Sequence, residues 1–186
     1  MSKMRLKPRK PAAAARTITV RAKPGSRTRA LVSFAGRTEE AAIGRSGITA
    51  RKREGDGATP IAGMRLIGGY VRHDRITQPQ TALPLRFTPK NLLWCDEPRH
   101  ALYNRPVDAP FKPSHERMRR DDGLYDVCLV MDWNLRSRKR HGGSAIFFHL
   151  ATPGYKPTEG CVAVSLPAMK RLLRFMRQGT VVRVVG

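Results

Sequence analysis

Short apolar runs, each cut off by a glycine or a proline, follow one another along this chain. With 16 Gly and 14 Pro in 186 residues, turns are frequent and long helices have little room. "RTITVRA" alternates, with Ile18 and Val20 on one side. "RALVSFAG" stops at Gly36, and "EEAAIGRSG" ends in a glycine-bounded turn. "KREGDGATP" breaks any helix and joins a strand near 48–50 to one near 64–67; "GGYVRHDRI" continues extended. "LYDVCLVMDW" is the strongest core-strand candidate and "SAIFFHL" the next. The basic turn "NLRSRKRHGG" between them fits a hairpin. The last segment differs. Ser165 suits a helix N-cap, Pro167 is tolerated in the first turn, and Gly179 suits the C-terminal cap. Met169, Leu172, Leu173 and Met176 fall on one helical face, and "TVVRVV" closes the chain as a strand. The pattern predicts a mostly β fold (β-rich α+β) with one C-terminal helix.

Residues 78–122 break that rhythm, with Pro79, Pro84, Pro89, Pro98, Pro106, Pro110 and Pro113. Regular structure is expected to be sparse there. A long Pro-rich loop of this kind serves as a lid or substrate-facing wall, or is simply a surface loop.

The net charge of +22 is unevenly spread. Residues 1–30 hold ten of the 36 Lys and Arg and none of the 14 Asp and Glu. Residues 1–16 read as a basic disordered tail, and 17–186 as a single domain long enough for its own core. A basic domain favours anionic partners: nucleic acid, anionic lipid or an acidic wall polymer. Charge does not choose among them. No stretch approaches about 20 apolar residues, so no transmembrane segment is expected. The leader lacks the apolar centre of a secretory signal, so no signal peptide is visible. Cys95, Cys128 and Cys161 are an odd number with no close pair, which argues against a disulfide framework or a C-x-x-C zinc site.

"FFHLATPGYKPTEGCVAVS" carries the chemistry. His149 stands near the end of a strand, on the face opposite Ile146 and Phe148, and twelve residues before Cys161. The loop 150–160 is expected to reverse the chain. Gly160 lets the backbone turn sharply, and N–H groups at such a turn can serve as an oxyanion hole. An imidazole that takes the thiol proton and then stabilises the thiolate makes a nucleophile. A buried free cysteine near a satisfied histidine has the same spacing.

"SAIFFHL" followed by Thr158-Glu159-Gly160-Cys161 resembles the catalytic core of the L,D-transpeptidase (YkuD-like) family: a strand ending in His, a loop, and a Ser/Thr-x-Gly-Cys turn. "REGDGATPIAGMRL" resembles the family's upstream Thr-Pro segment, and "LYNRPV" and "DGLYDVCLVMDWN" resemble one bacterial branch. The likeness spans roughly residues 45–184. It departs from the common pattern at Glu159, where His or Arg is usual, at Ala163, where Arg or Asn is usual, and in a shorter His-to-Cys loop.

The resemblance implies a β-sandwich or barrel and a cysteine acyltransferase of cell-wall peptidoglycan. Cys161 would form a thioester with a tetrapeptide stem and pass it to an amine, with His149 as base and then acid. Gly160 and Cys161 N–H groups would steady the oxyanion, and no metal or other cofactor is needed. Water as acceptor would make it an L,D-carboxypeptidase. Glu159 either binds an acceptor amine or caps the turn, beside Thr158. Asn134 and Ser144 either line the cleft or are turn polarity. The expected partners are peptidoglycan peptide stems and no nucleic acid, for a monomer in the periplasm or cell envelope. The rivals are a basic non-catalytic wall-binding domain and a nucleic-acid binder, although few aromatics interleave the basic runs.

Overall fold

The structure, a computed structural model, describes residues 16–186. The expected tail therefore lies outside the described residues, save Arg16, whose guanidinium sits over the Phe175 ring. Three strands open the fold: β1 (Thr17–Ala22), β2 (Arg29–Phe34) and β3 (Arg37–Ala42) form an antiparallel meander. Two short strands, β4 (Ile48–Thr49) and β5 (Thr59–Pro60), pair across the charged loop 50–58. The long β6 (Ala62–Val71) follows, with β7 (Leu85–Phe87) beside its second half.

The Pro-rich region is more regular than expected. It holds β8 (Leu92–Cys95), β9 (Arg105–Asp108) and β10 (His115–Arg117), which form a separate sheet in the order β10-β8-β9. The apolar run "LLWC" makes the central strand, fully buried. Pro106 lies in the edge strand β9, where a missing N–H is tolerated, and Pro89, Pro98, Pro110 and Pro113 fall outside the strands.

β11 (Val127–Met131) and β12 (Phe147–Leu150) pair antiparallel, as the hairpin reading expects. β13 (Val162–Val164), α1 (Leu166–Phe175) and β14 (Val181–Val185) complete the chain. The main sheet runs β11-β12-β13-β3-β2-β1-β14-β6-β7, and a further pairing of β6 with β11 closes it into a barrel.

Two sequence expectations need correction. β12 and β13 are parallel, so the loop 151–161 does not reverse the chain; it carries it back to start again in the same direction. Gly179 does not cap the helix: α1 ends at Phe175, and Met176 leaves it in an extended conformation that buries its side chain, while Gly179 turns the chain at φ +82° further on. The N-terminal expectation holds, with Ser165 accepting from the Ala168 N–H.

Two apolar clusters lie on opposite faces of β11 and β12. Inside the barrel Val127, Leu129, Met131 and Phe148 pack with Ile18, Val20, Met64, the α1 face of Met169, Leu172 and Leu173, and Met176 just past the helix. Outside it Cys128, Val130 and Phe147 meet Leu92, Trp94 and Met118 from the Pro-rich region. Both strands are buried on both faces, hence the unbroken apolar run of β11 and a run in β12 interrupted only by His149. Leu172→Ala is expected to destabilise the fold by about 3 kcal/mol, and Ser165→Ala by about 1 kcal/mol, in urea unfolding followed by circular dichroism.

Candidate active site

Parallel pairing sets Phe148 beside Val162 and His149 beside Ala163. Because side chains alternate along a strand, Phe147, His149, Cys161 and Ala163 all project from one face. His149 and Cys161 are thereby diagonal neighbours, and both line a cleft of about 630 Å³ walled by β10, the 151–159 loop and the 54–55 turn.

The thiol is held at the entrance to β12. Cys161 Sγ accepts from the Phe147 N–H at 3.3 Å and donates to the Ala145 carbonyl at 3.2 Å. Ala145 turns its carbonyl there by adopting φ +50°, a left-handed conformation unusual for a residue with a Cβ. Its own N–H is held by buried Asn104 Oδ1 at 3.1 Å, and Asn104 also takes the Trp94 indole N–H at 3.0 Å. Across the turn, Thr158 Oγ1 donates to the Cys161 carbonyl at 2.7 Å and accepts the Gly160 N–H at 3.2 Å. Gly160 has φ +131°, and a Cβ there would stand 2.7 Å from the Ala58 carbonyl, so the turn admits only glycine.

The model of the L,D-transpeptidase catalytic domain (YkuD) matches residues 18–184. The chain belongs to the L,D-transpeptidase family. A crystal structure of Mycobacterium tuberculosis L,D-transpeptidase 1 matches with 14% identity and a TM-score of 0.40, covering 91% of this chain and 59% of that one. No curated protein sequence matches the chain.

In this L,D-transpeptidase-family cleft the polar groups divide by surroundings. His149 Nδ1 donates to the Leu150 carbonyl at 2.8 Å, which leaves Nε2 as the acceptor nitrogen. Burial pushes the imidazole down to about 4 and the Cys161 thiol up to about 12. Both groups therefore rest neutral at pH 7. Tyr125 stands edge-on to His149 at 5.1 Å between ring centres and donates to Glu116 Oε1 at 2.5 Å. Burial raises Glu116 to about 7, and its charge works against a Cys161 thiolate. Among the described residues, no three His, Cys, Asp or Glu side chains converge as a metal site would require.

The remaining sequence candidates separate. Ser144 lines the cleft and donates to Glu54 Oε2 at 2.8 Å, a carboxylate that Tyr103 also reaches. Glu159 lies at the rim, largely exposed, paired with Arg45 at 2.8 Å. Asn134 is away from the cleft: its amide donates to the Lys139 and Gly143 carbonyls, and its Oδ1 accepts from Ser137 and the Lys139 N–H, so it ties the 134–143 turn. The Gly160 N–H is taken by Thr158, so any oxyanion contact from it requires that bond to open.

Sequence reasoning missed Glu116, Tyr125, Asn104 and Lys52. Of these, Asn104 and Tyr125 fall in the quoted family-like segments, and nothing in their spacing sets them apart.

His149 and Glu116 give opposite dependences of stability on pH. His149 is depressed from 6.5 to about 4, so the unfolded chain binds the extra proton and stability is lost as pH falls through that window. Glu116 is raised from 4.5 to about 7, so the folded chain binds it and stability is lost as pH rises through that window. Relative to wild type, His149→Gln should make stability fall more steeply between about pH 4.5 and 6.5, and Glu116→Gln should make it rise more steeply. Urea unfolding at half-unit pH steps checks both signs.

Proposed function

We propose that this chain is a cysteine acyltransferase acting on peptidoglycan peptide stems in the cell envelope. The observation that carries the reading is the shared sheet face that brings Cys161 and His149 into one cleft, with the thiol held at the entrance to β12. His149 Nε2 takes the thiol proton as Sγ attacks the carbonyl of the L-centre of a meso-diaminopimelate residue. The bond to the terminal D-Ala nitrogen breaks, and that nitrogen takes the proton back from the imidazolium. A thioester remains. An amine from a neighbouring stem attacks it, the C–S bond breaks, and the thiol is regenerated. Water in place of the amine gives a carboxypeptidase.

Resting neutrality of both groups fits this order. Creating the ion pair in a buried site is costly, so it forms only as attack neutralises the sulfur. Arg117, Arg120 and Lys156 line the same cleft and suit the free carboxylates of a stem. Ser144 and Thr158 hold the walls that a stem would lie against, and Glu159 at the rim is placed to meet an incoming amine if it leaves Arg45.

Incubation with a carbapenem, followed by intact-mass spectrometry, tests the nucleophile. Wild type is expected to gain one adduct, Cys161→Ala none, and His149→Ala an adduct at least about a hundredfold more slowly. An adduct that survives in Cys161→Ala would refute the assignment. Product analysis with a tetrapeptide stem, with and without an added amine, then separates transfer from hydrolysis.

A further inference from the structure

Lys52 is the most deeply buried cation near the nucleophile, and nothing in the acyl-transfer scheme accounts for it. Its side chain is 3% exposed. Nζ lies 3.4 Å from the position a Cβ on Gly160 would occupy, and Cε lies 2.9 Å from that position on Gly143. Both glycines have positive φ, and both leave the room that this side chain fills. Lys52 is not among the cleft-lining residues, so it touches no substrate; it sits behind the turn that carries the nucleophile.

Its counter-ion is shared. Asp56 Oδ1 meets Lys52 at 2.5 Å but also takes the Ala58 N–H at 2.9 Å, while Oδ2 takes the Arg53 N–H at 2.7 Å. A carboxylate bound to two backbone donors has part of its charge already satisfied, so it does not fully neutralise the lysine. A buried ion pair is a weak source of stability on its own, since desolvation offsets most of the attraction.

We propose that Lys52 is an electrostatic positioning residue, seated behind Gly160 to stabilise the negative charge that develops on Cys161 Sγ during acyl transfer. The inference rests on Cys161 being the nucleophile. Five groups face that sulfur's charge from the surrounding elements. Lys52 from the 50–58 loop and the Tyr125 hydroxyl favour the thiolate, and Glu116 from β10 opposes it. Cys128 from β11 is coupled to it, and His149 from β12 shares its cleft. Lys52 is a full positive charge that favours it from behind the turn, whereas Arg117, Arg120 and Lys156 stand in the cleft itself.

Alkylation by iodoacetamide as a function of pH, read at each cysteine by peptide mass, tests the idea on the full chain without any wall substrate. Removing the charge in Lys52→Met should move the Cys161 profile up by about one pH unit and slow reaction at pH 8 about tenfold. Lys52→Arg should restore most of the rate. Asp56→Asn, which frees the lysine's charge, should move the profile down. A folded Lys52→Met with the wild-type profile would overturn the proposal. If Lys52→Met does not fold, Asp56→Asn decides, and an unchanged or upward shift overturns it. Wild-type Cys161 reacting no faster than Cys95 and Cys128 would overturn this inference and the acyltransferase reading together.

Discussion

Everything at the site depends on the register between two short parallel strands. β12 and β13 pair so that His149 sits beside Ala163 and Cys161 lies one step back on the same face. A slip of one residue would turn either side chain into the barrel, among Phe148, Val162 and Val164. Burial on both faces prevents the slip. Phe148 cannot leave the barrel core, and Phe147 packs edge-on against Trp94 and Tyr125 outside it, with ring centres 5.0 and 5.8 Å away. The packing that stabilises the strands is therefore also what aims the histidine.

The Cys161 end is fixed by backbone groups rather than by core packing. Ala145 accepts a left-handed conformation so that its carbonyl faces the thiol, a strain of order 1 kcal/mol that the Asn104 and Trp94 hydrogen bonds offset. Gly160 gives the opposite side its geometry, and Thr158 locks it with one hydroxyl used twice. The small sheet from the Pro-rich segment supplies Asn104 from just before β9 and Glu116 from β10. That segment is thus part of the frame around Cys161 and His149, and its strands were not legible in the sequence.

Much of the fold was legible because the physics behind it is local. Alternation gave Ile18 and Val20 their shared face, and Ser165 with the Met169–Met176 spacing gave the helix its start and its buried side. What stayed hidden was non-local. The apolar run at Leu92–Cys95 is four residues long, too short to show a period, and the prolines around it read as an irregular loop, although most of them lie between strands and Pro106 sits in an edge strand. Parallel pairing of β12 with β13 leaves no mark in a loop whose Pro and Gly suit reversal and crossover alike. Asn134 read as either cleft lining or turn polarity, and polarity alone did not choose; its amide is spent on its own turn. Lys52 looked like one more charge in a basic loop. Its burial is decided by Gly143 and Gly160, which lie about a hundred residues away in sequence.

The cleft's charges act on the buried Cys161 thiol in opposite directions. Burial and Glu116 both push against ionisation, while Tyr125, Lys52 and the Phe147 N–H favour it. Glu116 is protonated or ionised according to conditions close to neutrality, because burial has moved it there. When it carries its proton, the opposition to the thiolate is removed while Lys52 remains. When it ionises, the two charges counteract each other across the sulfur. The same carboxyl accepts from Tyr125, whose ring lies against His149, so this hydrogen-bonded pair borders both Cys161 and His149. A low-dielectric cleft strengthens each of these effects on the thiol, for and against ionisation alike.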